Sequence, residues 1–123
     1  MNTRKRRELK LQYRASARPA GVFLIRNITG DRVFVAAGQD LNGTINRHRF
    51  QLEQGIHSNQ QLQEDWRRLG SKCFTFEVLD QLDPSTSIDL RAEVEFLERE
   101  YLNRLRPFAG RGYNEPAARR MQS

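Results

Sequence analysis

Thr44, Arg47 and His48 stand at positions i, i+3 and i+4 of a polar stretch that follows Asp40, so a helix there turns all three to one side. Histidine titrates nearest neutrality and can take up or release a proton. Arginine meets phosphate oxygens with a planar fork of donors. A carboxylate, Glu98, lies in Leu97-Glu-Arg-Glu-Tyr-Leu102 with Glu93, Glu95 and Glu100 around it, and by itself reads as an exposed group on an acidic helix, paired with Arg91, Lys72 or water. Tyr101, Tyr113 and Asn114 add hydroxyl and amide groups towards the C-terminus. The only two histidines, His48 and His57, and the lone cysteine, Cys73, form no cluster with zinc-ligand spacing and no disulfide framework. Cys73 heads an apolar run and reads as a buried, inert thiol.

Charge is placed unevenly. The first 20 residues hold Arg4, Lys5, Arg6, Arg7, Lys10, Arg14 and Arg18 against one acid, Glu8, which accounts for the whole net charge of +6. Such an arm neutralises phosphates and releases counterions, giving salt-sensitive attachment to nucleic acid without sequence preference. The same charge suits an anionic membrane surface or an acidic protein, or serves solubility alone. Leu9, Leu11 and Tyr13 form no wide apolar stripe, which argues against a helix inserted in a membrane. No apolar run approaches the roughly 18 residues of a membrane span, and the N-terminal arginines lack the apolar stretch of a signal peptide. The chain reads as cytoplasmic.

The elements that must position these groups follow from periodicity and punctuation. Residues 2–16 have helix-forming composition, and Arg18-Pro-Ala-Gly21 stops that helix and leads into a strand. Gly21–Asn27 and Arg32–Ala37 are rich in Val, Ile and Phe around the polar turn Asn27–Asp31, a β-hairpin. Asp40 caps a helix with Leu41, Ile45 and Leu52 on one face, weakened by Gly43 and ended by Gly55. A second helix from Ser58 carries Leu62, Trp66 and Leu69 and stops at Gly70. Cys73–Asp80 alternates as a third strand, with Phe74, Phe76 and Val78 on one face. A long helix to about Arg106 buries Leu90, Val94, Leu97, Tyr101 and Leu105, and Pro107 ends it. The expected fold is α+β, a small three-stranded antiparallel sheet flanked by helices, with a basic N-terminal helix. Residues 1–20 form the arm, 21–114 the domain and 115–123 a fraying tail.

Gly21-Val-Phe23, Phe34-Val-Ala36, Thr44, Glu98 and Asn114 carry a resemblance to the GIY-YIG nuclease family over Gly21–Asn114. That family has Gly-Ile-Tyr on the first strand, Tyr-Ile-Gly on the second, an arginine on the first helix, a metal-binding glutamate on the last long helix and an asparagine after it. Asn46-Arg-His-Arg-Phe50 and Leu62-Gln-Glu-Asp-Trp66 resemble a bacterial subgroup. The resemblance places the tyrosines at Phe23 and Phe34, the arginine at Thr44, the glutamate at Glu98 and the asparagine at Asn114. It implies phosphodiester cleavage on DNA by in-line attack of water, with Mg²⁺ or Mn²⁺ at Glu98. Phenylalanine keeps the ring that packs a small sheet and removes the oxygen that handles the proton. Threonine is uncharged and short.

The expectation is therefore a nuclease-fold protein that binds nucleic acid, DNA by the resemblance, with catalytic residues largely lost. Two alternatives stay open: a metal-dependent endonuclease in which Arg47 and His48 compensate, and a protein-interaction module on the same scaffold. Tyr101 and Tyr113 are further sources of a hydroxyl. Phosphate contacts are expected from Arg4, Lys5, Arg6, Arg7, Lys10 and Arg14 of the arm and from Arg47, Arg49 and Arg111.

Overall fold

The computed structural model describes residues 18–116. The expected N-terminal helix and the arm's six basic residues before Arg18 lie outside them, as do residues 117–123 of the tail.

Strands β1 (Ala20–Asn27), β2 (Arg32–Gly38) and β3 (Phe74–Leu82) form one antiparallel sheet in the order β2-β1-β3. Central β1 is buried at every position except Arg26. It alternates between two cores: Phe23 and Ile25 point to one face, Val22 and Leu24 to the other. A strand covered on both sides reads as a continuous apolar run rather than an alternating one. The hairpin turn is held by Asn27, whose Oδ1 accepts from the backbone N–H of Thr29 and Gly30 at 3.0 and 3.1 Å, the local bond that makes asparagine a turn residue.

Helices α1 (Leu41–Gln54) and α2 (Gln60–Leu69) cover the Phe23 face, where Leu41, Leu52, Leu62 and Trp66 close the core. Helix α3 (Leu90–Leu105) covers the Val22 face through Leu102, with Leu97, Tyr101 and Leu105 beside it. Side-chain caps start all three: Asp40 accepts from Gly43, Asn59 from Leu62 and Asp89 from Ala92. Helix α2 starts at Gln60 rather than at Ser58 because Asn59 is that cap.

Strand β3 departs from strict alternation. Its pairing shifts between Val22↔Asp80 and Phe23↔Val78, leaving Leu79 as a bulge. Val78, expected on the buried face, is 46% exposed, on an edge strand and next to the bulge. Gly21 lies against the bulge, where a Cβ would sit 2.1 Å from the Asp80 carbonyl oxygen; the second residue of β1 is glycine because β3 leaves no room for another. Cys73, expected buried, is half-buried, with its Sγ donating to the Leu69 carbonyl.

The segment Phe108–Asn114 returns along the outer edge of β2. Gly112 bridges Val33 in parallel, and the Tyr113 N–H donates to the Val33 carbonyl at 2.9 Å. One sheet edge is thereby closed by the chain's own C-terminal part. No helix among the described residues is long and apolar enough to cross a membrane.

Candidate functional site

Phe34, on β2, joins two groups of side chains. On its inner side lies a histidine pair. His48, one turn after Thr44 on α1, has its ring 5.5 Å from that of Phe23 and 5.8 Å from that of Phe34. His57, from the α1–α2 loop, lies 5.6 Å from Phe34 and receives or gives a 2.8 Å bond between its Nε2 and His48 Nδ1. The proton positions follow from the surroundings. The Asn59 backbone N–H donates to His57 Nδ1 at 3.0 Å, so that nitrogen is bare and Nε2 carries the hydrogen. His57 therefore donates and His48 Nδ1 accepts. Gln63, itself buried, fixes the loop: its Oε1 accepts from the His57 N–H and its Nε2 donates to the Leu52 carbonyl.

Burial, then the neighbouring His57 and Arg47, push the His48 pKa down to about 4. Burial also lowers that of His57. Both rings are neutral at pH 7. Sequence reasoning singled out His48 but treated His57 only as one of two isolated histidines; nine residues apart, they meet because the loop after Gly55 doubles back on α1.

On its other side Phe34 lines a cleft of about 850 Å³ with Ala36, Ala37, Glu98, Phe108 and Asn114 among its walls. Three of the expected positions, Phe34, Glu98 and Asn114, are thus brought to one opening. Phe23 is wholly buried. Thr44 is buried too: its Oγ1 donates to the Asp40 carbonyl at 2.8 Å, and it occupies the space a Cβ on Gly38 would need, 2.1 Å from that oxygen. It does not face the cleft.

Asn114 is committed to the backbone. Its Oδ1 accepts from the Val35 N–H and its Nδ2 donates to the Val35 carbonyl, both at 2.8 Å. The side chain replaces a missing strand neighbour between Phe34 and Ala36. Tyr113 is equally occupied: its hydroxyl donates to Asp65 at 2.7 Å and accepts from Asn27 at 3.1 Å. Burial and that carboxylate push its pKa up to about 12. Burial works against the charge on Asp65, but bonds from Tyr113 and Arg68 outweigh it and hold the carboxyl below its ordinary range. Arg32 covers the Tyr113 ring at 4.2 Å and donates to Gln61 and to the Gly112 carbonyl. Neither this network nor Arg32 was expected from sequence. The Tyr101 hydroxyl bonds to Leu79 O and to Asp80 on β3, away from the cleft.

The expected cations are spread out. Arg47 and Arg49 are exposed on α1, and the Arg49 guanidinium covers Phe76 of β3 at 4.5 Å, at the edge of the sheet opposite β2. Arg111 is exposed in the short turn Ala109–Arg111 at the lip of the cleft. No group of three or more His, Cys, Asp or Glu gathers into a metal-binding cluster among the described residues. Glu98 and Glu115 each bring a carboxylate to the cleft, and a magnesium ion bound through one or two carboxylates needs substrate phosphates and water to complete its shell. The residues present do not by themselves fit a resident ion.

No protein-family model matches the chain, and no curated protein matches it. Solved structures do. The catalytic domain of the homing endonuclease I-TevI superposes with a TM-score of 0.65 at 24% identity, over 79% of this chain and 98% of that one. A mutant form of the same intron endonuclease's catalytic domain gives 0.64 at 23%, over 78% and 92%. The chain has the GIY-YIG nuclease fold. Within the chain Phe23, Phe34 and His48 form one aromatic group, Phe34, Glu98 and Asn114 share the cleft, and Thr44 is packed between α1 and Gly38.

Proposed function

We propose that this GIY-YIG fold serves nucleic-acid binding, with DNA as the favoured partner, and that its cleavage chemistry is lost or very weak. The observation that carries the reading is the pairing of Phe23 and Phe34 at the tyrosine positions with a Thr44 turned into the protein. A general base contributes about 10²- to 10⁴-fold and an arginine on a phosphoryl transition state about 10³- to 10⁵-fold. Their losses are not additive, yet removing both leaves little catalysis. The rings and the β2 edge are preserved, so the substitutions spare folding and strike chemistry.

Binding then rests on phosphate contacts. Arg47, Arg49 and Arg111 are exposed, and the basic arm adds its charge. Each phosphate neutralised steepens the fall of affinity with salt by about 0.9 in the log–log slope for duplex DNA.

One observation favours a second reading, an endonuclease with an altered site: His48 touches both substituted rings and is paired with a second histidine. It is the weaker reading because a base with a pKa of about 4 lies far from the neutral range where proton transfer is most effective.

The test is incubation of labelled duplex, branched and single-stranded DNA in Mg²⁺ or Mn²⁺, with Glu98→Ala and His48→Ala purified identically, beside gel retardation across a salt series. Retardation that weakens with salt, without cleavage, is expected. Cleavage abolished by His48→Ala would establish the second reading instead. Absence of both cleavage and retardation would leave the protein-interaction module.

A further inference from the structure

The helices on the two faces of the sheet differ in charge. Residues 41–72, which include α1 and α2 on the Phe23 face, hold five basic residues against three acids. One of those acids, Asp65, is largely enclosed and already bonded to Tyr113 and Arg68. Residues 73–100, from β3 into α3, hold eight acids against Arg91 and Arg99. A polyanion is therefore drawn to the α1–α2 side.

Each side also presents one outward phenylalanine, Phe50 at 57% exposed and Phe96 at 60%. Phe50 comes nine residues after Leu41, half a turn out of phase with it, so it stands at the centre of the solvent face of α1 while Leu41 closes the core. Phe96, two residues after buried Val94, is turned outward on α3 in the same way. Their settings differ. Arg47 lies one turn before Phe50, Arg49 is next to it with its guanidinium laid over Phe76 at 4.5 Å, and Glu53 is the one carboxylate on α1. Arg67 reaches from α2 to the end of α1, where a Cβ on Gly55 would sit 3.2 Å from its Nη2. Cations thus stand before and after the Phe50 ring over about 12 Å of helix axis. Phe96 instead has Glu93, Glu95 and Glu100 around it, with Arg99 among them.

We propose that a nucleic-acid strand lies on the solvent face of α1, with an unpaired base stacked on Phe50 and the neighbouring phosphates met by Arg47, Arg49 and Arg67. The proposal rests on the nucleic-acid-binding reading and adds the face and the ring. Aromatic rings set among cations are how single strands are held, because every base has a π-face and every nucleotide a phosphate. A continuous duplex keeps its bases stacked and offers Phe50 nothing, whereas single strands and gaps expose bases at little cost.

The experiment compares, by fluorescence anisotropy with the full chain, a single strand of about eight nucleotides with a tetrahydrofuran abasic strand of the same length and charge and with the matching duplex. The normal strand is expected to bind about 5- to 150-fold more tightly than the abasic one, the range for one stacked base. Phe50→Ser should lose that difference and keep the affinity for the abasic strand, and Phe96→Ser should keep both. Both positions are exposed, so both variants should stay folded by circular dichroism. Equal, salt-sensitive affinity of the native chain for all three ligands would overturn the stacking site while leaving nucleic-acid binding intact. A base-dependent difference that survives in Phe50→Ser, or is lost equally in Phe96→Ser, would also overturn it. No binding to any ligand would remove the nucleic-acid reading and this proposal together.

Discussion

The histidine pair makes stability depend on pH in a window where few other groups titrate. Protonating His48 puts a hydrogen on Nδ1, where it would face the hydrogen that His57 already carries on Nε2, so the 2.8 Å bond is lost. The new charge would also sit near Arg47. The folded-state pKa of about 4 lies below the ordinary 6.5, so between those values the unfolded chain binds more protons and folding weakens as pH falls. Stability from this group is complete above about pH 6.5 and lost progressively down to about pH 4. At about 1.4 kcal/mol per pH unit the ceiling is roughly 3 kcal/mol, and partial solvent exposure of His48 reduces it to about 1–2 kcal/mol.

Urea titrations between about pH 4.5 and 7.5, followed through the fluorescence of Trp66, buried in the core and the only tryptophan, read this directly. The native chain should lose most of that 1–2 kcal/mol across the range, and His48→Gln should show a distinctly flatter dependence. The carboxyls of Asp65 and Glu77 have pKa values held below their ordinary ranges, so their contributions fall away mainly at more acid pH. Parallel profiles for the native chain and His48→Gln would refute the account of the pair.

Three further outcomes follow from the geometry. Asn114→Ala removes both bonds to Val35 and leaves part of the β2 edge unpaired, at a cost of about 1–3 kcal/mol in urea unfolding; an unchanged midpoint would mean the edge is not held there. Deleting residues 1–17, which spares Arg18 and its 2.7 Å ion pair with the α1 cap Asp40, should lower the salt slope of DNA binding by several phosphates' worth while leaving the melting temperature nearly unchanged. Phe23→Tyr, Phe34→Tyr and Thr44→Arg together should restore detectable cleavage in Mg²⁺, since a base and an arginine each contribute at least about 10²-fold; a folded, DNA-binding triple variant with no cleavage would show that the scaffold has lost more than these groups.

The sheet and the three described helices were legible because each is marked locally. Asp40 is a cap, Gly55, Gly70 and Pro107 are stops, and the apolar stripes of Leu62–Trp66–Leu69 and Val94–Leu97–Tyr101 repeat with helical period. What escaped sequence reasoning depends on contacts between distant segments. The Leu79 bulge is a property of how β3 meets Gly21. The commitment of Asn114 to Val35 and the packing of Arg32 on Tyr113 need the C-terminal segment laid along β2. Spacing put Thr44 on the same side of α1 as His48, and both do face the sheet; but a short side chain at that point bonds back to Asp40 rather than reaching outward. The arm boundary drawn at residue 20 also moves, because Ala20 already pairs with Leu82 in the sheet.

Position 44 decides how reversible the proposed loss of cleavage is. Restoring the oxygens requires only hydroxyls on rings already in place: Phe34 faces the cleft, and a tyrosine at position 23 would be buried near His48, a ring able to serve as its partner. An arginine at position 44 is a different demand. The threonine there is buried, its hydroxyl satisfied by the Asp40 carbonyl, with the Gly38 backbone close against it. A longer side chain must leave that space, giving up the packing around Gly38 and leaving a gap beneath the first turn of α1. Cavities of this kind cost stability in proportion to the volume left unfilled. The double tyrosine variant should therefore fold about as well as the native chain, whereas adding Thr44→Arg should lower the melting temperature by several degrees, about 1–2 kcal/mol for a domain of this size. If the arginine variant melts no lower, the space beside Gly38 is not what fixes Thr44, and the path back to a cleavage site is shorter than the packing implies.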